Sequence, residues 1–347
     1  MQIQKNKTKE FSPKVIAWEV TRRCSLRCKH CRGSARDTNF SNELSTVECF
    51  RIIDEIADIG TPVLILTGGE PMMREDIYDI AEYATNKGMR VVMAPCGHLI
   101  TPETAEKLKA AGIKCISISL DGANAKTHNA FRGVENAFEK TMTGLQHAKN
   151  AGISFQINTT VSKHNVDELE KIFDLAVELG AITFDAFLLV PTGRGAALKH
   201  LELSPELYEA TLNKIADIAD TASIRVKTTC APHYSRIQRQ KEKKTNAYMG
   251  NGCMAGREFV FISHRGIVQP CGFLDLPCGN LRENTFKKIY EKSEVFLNLR
   301  NVDDYNGKCG VCEFRFVCGG CRARAYAHSG NYLDEEPFCV YKPGKKM

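Results

Sequence analysis

Three cysteines lie within eight positions near the start of the chain, in the stretch TRRCSLRCKHCRG at residues 21–33. They are Cys24, Cys28 and Cys31. A structural zinc site needs four ligands, usually in two pairs, and disulfide frameworks are typical of short secreted chains. An odd number of neighbouring thiols instead indicates an iron–sulfur cubane with one iron left open for another ligand.

The overall composition is that of a globular protein with many thiols. The chain has 347 residues, 15 of them cysteines, and a net charge of +6. In a reducing compartment such thiols serve as metal ligands or catalytic groups more often than as disulfides. The polar start lacks a signal peptide, no run of ~18 apolar residues indicates a membrane span, and no basic block indicates nucleic-acid binding. We therefore expect a cytoplasmic protein that binds neither membranes nor nucleic acids.

Six strand-then-helix units follow one another from residue 14 to about residue 190. Ser45 and Glu48 are placed to cap the first helix, and Thr101 with Pro102 begins the third. Alternating strands and helices predict an α/β fold with a parallel sheet, either doubly wound or a barrel. The loops of unusual composition all follow strands, so in a barrel they would meet at one rim and form a single site.

The chain changes character after about residue 222. A β-hairpin is predicted with its turn at Arg265–Gly266, followed by a helix over residues 284–300. The cysteine-rich tail has few apolar residues for its length, so metal is expected to replace part of the core. We predict a tail at 1–13, an α/β unit at 14–222 and a small cysteine-rich α+β domain at 223–347.

The cysteine triplet, followed after the second strand by Gly-Gly-Glu-Pro at residues 68–71, resembles the radical S-adenosylmethionine (SAM) enzymes. The resemblance implies a partial (β/α)6 barrel in which Cys24, Cys28 and Cys31 hold three irons of a [4Fe–4S] cluster. The amino and carboxylate groups of SAM then chelate the fourth iron. The site residues implied for SAM are Gly68, Gly69, Glu70 and Pro71, with Ser119 of SISLDG and Arg132 of AFRG.

The second half resembles the auxiliary-cluster extension of the same family, called the SPASM or twitch domain. One four-thiolate site is implied for Cys309, Cys312, Cys318 and Cys339. A second is implied for Cys253, Cys271 and Cys321, with either Cys230 or Cys278 as the candidate fourth ligand. Structural zinc is the alternative for the tail, because its CxxC and CGGC sequences form two pairs.

Longer stretches, among them VMAPCG, LVPTGRG and TCAPHY, resemble the tetrapyrrole-modifying branch of the family, and most of all its heme b synthases. That resemblance implies oxidative decarboxylation of two propionates of iron-coproporphyrin III to vinyl groups. Two alternatives are other enzymes of the same branch: one that removes acetate groups from didecarboxysiroheme, and one that acts in heme d1 synthesis. Two more are a radical SAM/SPASM enzyme that matures peptides and a non-catalytic zinc or redox module.

A propionate has no acidic β-hydrogen, so the implied chemistry uses a 5′-deoxyadenosyl radical to remove it. An auxiliary cluster would take the electron that remains, and a flavodoxin- or ferredoxin-type donor would reduce the first cluster. A flat apolar macrocycle with carboxylates at its edge needs an apolar site with a few cations. The candidate substrate residues are Arg194, Cys230, His233, Arg257 and Arg265.

Overall fold

The computed structural model describes residues 11–241 and 252–344, and its centre is a ten-stranded sheet. The strands are β1 Val15–Thr21, β2 Val63–Gly68, β3 Arg90–Met93, β4 Cys115–Ser119, β5 Ser154–Val161, β6 Thr183–Leu188, β7 Arg225–Thr229, β8 Phe259–Ile262, β9 Ile267–Gln269 and β10 Gly279–Asn280. Their order is β10-β9-β8-β1-β2-β3-β4-β5-β6-β7. The sheet has two free edges, which confirms the partial barrel.

Twelve helices occur in the described residues. They are α1 Thr46–Ala57, α2 Ile77–Asn86, α3 Pro102–Ala110, α4 Ala125–Arg132, α5 Ala137–Asn150, α6 Leu169–Leu179, α7 Pro205–Thr221, α8 His233–Gln240, α9 Phe286–Lys292, α10 Glu294–Arg300, α11 Gly307–Val311 and α12 Arg322–Ser329. None of them is both long enough and apolar enough to cross a lipid bilayer.

Local sequence signals explain where the barrel helices begin. Ser45 and Glu48 form the predicted capping box of α1, and Thr101 with Pro102 starts α3. Each cap satisfies backbone N–H groups that the first helical turn leaves free. The helices then pack against parallel strands β1–β7, whose buried apolar side chains form one large core.

Strands beyond residue 222 continue the barrel sheet instead of forming a separate one. Strand β7 pairs parallel with β6. At the other edge β8 pairs parallel with β1, and the hairpin β8–β9 turns at Arg265–Gly266 as predicted. The sheet therefore extends past residue 222, where the α/β unit was predicted to end. Both edge strands, β7 and β10, come from the second half of the chain.

Three local predictions differ from the structure. The helix predicted over residues 284–300 is divided at Ser293 into α9 and α10. The segment after β4 also contains two helices, α4 and α5, separated where Gly133 adopts a left-handed conformation that ends α4. Helix α8 forms in a segment for which no helix was predicted. Residues 242–251 and the tail residues 1–10 lie outside the described residues.

Candidate active site and auxiliary thiol sites

The loop after β1 brings Cys24, Cys28 and Cys31 together in one small cluster with Leu26 and Ala35. The backbone N–H of Leu26 donates to Cys24 Sγ at 3.4 Å, and that of Ala35 donates to Cys31 Sγ at 3.3 Å. Burial raises the pKa of the Cys24 thiol to about 12, so binding iron must displace its proton. Three grouped thiols with backbone donors aimed at sulfur fit a [4Fe–4S] cluster.

The Gly-Gly-Glu-Pro loop is packed directly against the backbone of the cysteine loop. The N–H of Gly69 donates to Thr21 O at 2.8 Å. A Cβ atom at Gly68 would lie 2.3 Å from Thr21 O, and one at Gly69 would lie 2.3 Å from Arg23 O. Any larger residue would therefore force the two loops apart, which explains both glycines without reference to a bound ligand.

Glu70 joins the ends of two neighbouring strands. Its buried carboxylate accepts hydrogen bonds from Met72 N at 3.0 Å and from Cys96 N at 2.6 Å. Burial raises the pKa of Glu70. Pro71 begins a 3₁₀ turn at this point, and Cys96 packs against the cysteine cluster. Because each carboxylate oxygen has two lone pairs, these bonds leave room for a cofactor ammonium.

Arg132 lies behind the cysteine loop. Its Nη2 pairs with Asp121 Oδ2 at 2.6 Å, and its Nη1 lies 3.7 Å from Cys28 Sγ. Burial opposes ionisation of Asp121, but Arg132 together with His30, His128 and the backbone N–H of Thr160 outweighs it and holds the pKa of Asp121 below its usual value. This geometry makes Arg132 a charge partner of the Cys28 sulfur. The contacts predicted for the cofactor with Arg132, and with Ser119 at the end of β4, stay predictions.

Arg194 holds the cysteine loop from the other side. Its Nε donates to Cys28 O at 2.7 Å, and its Nη1 donates to Ala35 O at 3.0 Å. Its buried Nη2 has no hydrogen-bond partner among the described residues. Two of its three nitrogens thus position the loop, and the third remains for a bound acceptor. The predicted substrate contact of Arg194 therefore concerns Nη2 alone.

The four thiols predicted for the first auxiliary site line one pocket, together with His233 and Arg236. The thiols are Cys309, Cys312, Cys318 and Cys339. Backbone N–H groups again point at sulfur, from Phe314 to Cys312 at 3.4 Å and from Glu336 to Cys309 at 3.4 Å. Four convergent thiols with such donors fit a fully ligated cluster.

The thiols predicted for the second auxiliary site also converge. Cys271 and Cys230 both pack against a small cluster of side chains that contains the buried Cys321. Cys253 interacts electrostatically with Cys321. Among the described residues no three Cys, His, Asp or Glu side chains are grouped so that they could hold a metal ion.

Both auxiliary sites are connected to the barrel through buried charges centred on Glu336, a residue that sequence reasoning missed. Glu336 pairs with His233 Nε2 at 2.8 Å and with Arg324 Nη1 at 3.1 Å, and all three side chains are buried. Burial opposes protonation of His233, but Glu336 and Cys339 outweigh it and raise the pKa of His233 to about 9. The available signal was the position of Glu336 three residues before Cys339.

The remaining predicted substrate residues lie apart from this network. Arg257 is half-buried with its guanidinium 5.6 Å from the centre of the Phe11 ring. Arg265 is exposed at the hairpin turn, where its backbone N–H donates to Ser263 Oγ. Substrate contacts for Arg257, Arg265 and His233 stay predictions.

The loop after Cys271 packs against the loop after Cys31. A Cβ atom at Gly272 would lie 3.3 Å from Cδ of Arg32, and the Thr192 hydroxyl donates to Phe273 O at 3.1 Å. Arg32 itself is held by Glu19, at 2.8 Å, and stacks over the Phe261 ring. The second auxiliary site is therefore next to the first cysteine loop.

The radical SAM superfamily model matches residues 18–176, and the SPASM model, an iron–sulfur cluster-binding domain, matches residues 253–313. The chain is 50% identical to an AdoMet-dependent heme synthase of Methanosarcina barkeri, over 96% of this chain and 98% of that protein. This chain belongs to the radical SAM superfamily. It is an iron–sulfur enzyme whose cofactor is SAM.

Two further relatives and one solved structure are also similar to this radical SAM enzyme. An AdoMet-dependent heme synthase of Nitratidesulfovibrio vulgaris is 50% identical, over 95% of this chain and 93% of that protein. An Fe-coproporphyrin III synthase of Methanosarcina barkeri is 33% identical, over 94% and 87%. The crystal structure of Streptococcus suis SuiB bound to S-adenosylmethionine has a TM-score of 0.76 at 17% identity and covers 95% of this chain and 77% of that one. That likeness shows the shared fold.

Proposed function

We propose that this radical SAM enzyme is a heme b synthase, which converts two propionate side chains of iron-coproporphyrin III to vinyl groups. The observation that carries the proposal is the 50% identity to AdoMet-dependent heme synthases, which extends over nearly the whole chain and both cluster-binding regions. The Fe-coproporphyrin III synthase is more distant, at 33% identity. The substrate proposed for this chain is thus the product named for that relative.

The reaction requires a hydrogen acceptor stronger than any protein base. The β-hydrogen of a propionate is not acidic, so general-base catalysis cannot remove it. When bound, SAM and the clusters supply the radical that takes this hydrogen and the acceptor for the electron that remains after carbon dioxide leaves. For each propionate, one hydrogen atom, one carbon dioxide and one electron leave, and a vinyl group remains.

The chain's own residues hold this chemistry in place. Arg194 and the Gly-Gly-Glu-Pro loop fix the backbone of the first cysteine loop, and Arg132 supplies a positive charge beside Cys28. Packing of Gly272 against Arg32 keeps the second auxiliary thiols next to that loop. This contact between the two loops supports an accepting role for a cluster held by the second auxiliary thiols.

An anaerobic assay with two substrates side by side tests the proposal. Reconstituted enzyme is given SAM, a reductant and either iron-coproporphyrin III or didecarboxysiroheme, and product masses are read. We expect iron-coproporphyrin III to lose two carbon dioxide molecules and four hydrogen atoms, giving heme b. The control is Cys28→Ser, which should give no product because a thiolate ligand is missing. Product from didecarboxysiroheme alone would identify an acetate-removing enzyme instead, and product from neither would overturn the tetrapyrrole assignment.

The electron donor and the compartment are further proposals. A flavodoxin- or ferredoxin-type protein is proposed as the donor, because the cluster needs single electrons at low potential. Work in the cytoplasm is proposed from the cysteine content, since free thiols and clusters persist in reducing compartments. Reduction of the enzyme by purified flavodoxin, followed by its EPR spectrum, tests the first.

A further inference from the structure

We propose that Cys230 is the fourth thiolate ligand of the second auxiliary site, together with Cys253, Cys271 and Cys321. Cys230 packs against the small cluster of side chains that contains the buried Cys321, and the two thiols interact electrostatically. Cys271 packs in the same small cluster. A residue that directly follows β7 thus completes a set whose other members come from the cysteine-rich part of the chain after residue 252.

The backbone at Cys230 is held in an unusual conformation that supports this role. Its φ angle is +59°, in the left-handed region that residues other than glycine rarely adopt. Two buried side chains meet its carbonyl oxygen, Arg324 Nη1 at 3.0 Å and the Tyr208 hydroxyl at 3.4 Å. Such a conformation is strained and persists only where the surroundings enforce it. The surroundings here turn the chain sharply beside Cys321.

Cys278, the other cysteine considered for this position, lies elsewhere. Its sulfur donates to Leu276 O at 3.4 Å, and its N–H donates to Val268 O at 2.8 Å in the sheet extension. It packs against the large barrel core and not against the cluster around Cys321. The geometry therefore separates two thiols that the sequence left equivalent.

Full ligation decides what the second site can do. Each thiol loses its proton to solvent as its bond to iron forms. With four protein thiolates every iron of a cubane is occupied, so neither a propionate nor a macrocycle substituent can bind there. The site is then an electron acceptor and not a substrate-binding iron. This inference rests on membership of the radical SAM superfamily and not on which tetrapyrrole is converted. Failure of the ligand assignment would appear in iron content and EPR spectra, whereas failure of the proposed function would appear in product masses.

Iron content and spectroscopy test the ligand directly. The parent protein is the full chain with Cys24→Ala, Cys28→Ala and Cys31→Ala, which removes the first cluster so that both auxiliary sites are observed alone. Cys230→Ser and Cys278→Ser are compared in this parent after anaerobic reconstitution. We expect about eight irons in the parent and in Cys278→Ser, for two cubanes. Cys230→Ser should lose about four irons, or keep them with an altered EPR spectrum.

A second measurement needs no change at Cys230. Cyanide is added to the reduced parent, and its EPR spectrum is recorded. Because both clusters have four protein ligands, the spectrum should not change, whereas that of an iron-loaded Cys230→Ser protein should shift. A cyanide shift in the parent would overturn the proposal. The proposal would also be overturned if Cys230→Ser kept about eight irons and the cyanide-insensitive spectrum of the parent. Loss of iron in Cys278→Ser instead of Cys230→Ser would overturn it as well.

Discussion

The guanidinium of Arg132 lies 3.7 Å from the sulfur of Cys28. Arg132 reaches this position from the end of α4, and its other nitrogen pairs with the buried Asp121. A fixed positive charge beside a thiolate stabilises the more negative state of a cluster. The pair of Arg132 and Asp121 therefore joins the stability of the fold to the redox properties of the first cysteine loop.

Replacing Arg132 separates these two effects. Arg132→Gln should lower the reduction potential of the first cluster and destabilise the fold by about 3 kcal/mol, because Asp121 is left as an unpaired buried charge. Arg132→Lys should restore much of the potential. EPR-monitored redox titration and denaturant unfolding measure both, with the exposed Arg90→Gln as control. An unchanged potential in Arg132→Gln would contradict a charge effect on the cluster.

Gly69→Ala should disable the first site through backbone collision. The added Cβ would lie 2.3 Å from Arg23 O, and the backbone atom cannot move away without shifting the cysteine loop. We expect SAM cleavage to fall at least about tenfold, which corresponds to roughly 1.4 kcal/mol in the barrier, with loss of iron. Gly344→Ala is the matched control, because its nearest contact is at 3.9 Å. Full activity of Gly69→Ala would refute the packing argument.

Arg194→Lys tests whether Arg194 positions the loop or binds substrate. Lysine cannot reproduce the two bonds to Cys28 O and Ala35 O, since it lacks the planar fork of arginine. We expect less iron in the first cluster and a lower kcat, with KM for the tetrapyrrole nearly unchanged. Steady-state kinetics and iron analysis distinguish the roles. Full iron content with a raised KM alone would assign Arg194 to the substrate.

His128 should make the protein sensitive to mild acid. It is buried, and Asp121 N donates to its Nδ1 at 3.2 Å. Burial, reinforced by Arg132, lowers the pKa of His128 from 6.5 to about 3. Between these values the unfolded state binds more protons than the folded state, so stability falls as the pH drops below about 6.5, by up to about 1.4 kcal/mol per unit.

His128→Asn keeps an acceptor for Asp121 N but does not titrate. Unfolding midpoints of the anaerobic holoprotein at pH 7.5, 6.5 and 5.5 should therefore decline less steeply in this variant than in the wild type. The exposed His200→Asn is the control and should follow the wild type. Equal slopes for His128→Asn and the wild type would show that His128 is not held neutral.

Cys318→Ala should remove the first auxiliary cluster while leaving SAM cleavage intact. Cys318 lines the four-thiol pocket, and the Cys24 loop lies in a different cluster of side chains. We expect about four fewer irons, continued formation of 5′-deoxyadenosine, and loss of vinyl product. Cys115→Ala, a buried cysteine at the start of β4, is the control. Normal product formation without that iron would show that the cluster is dispensable.

Short sequence patterns were enough to predict most of the helices and strands and the residues of the cysteine triplet. Helix α1 begins where Ser45 and Glu48 predict it, because a capping box acts within four residues. The spacing of Cys24, Cys28 and Cys31 indicates a three-thiolate site for the same reason, since all three lie on one loop. The division of residues 284–300 at Ser293 was not predicted, because apolar periodicity continues across the break.

Contacts between residues far apart in the sequence could be identified only from the tertiary structure. The sequence alone determines the cysteine triplet and the order of strands and helices, because these depend on neighbours along the chain. It leaves Cys230 and Cys278 equivalent, and it does not bring Arg194 to the carbonyl of Cys28, 166 residues away. The tertiary structure decides these pairings, since packing of β7, α12 and the first loop sets which buried donors, charges and thiols meet.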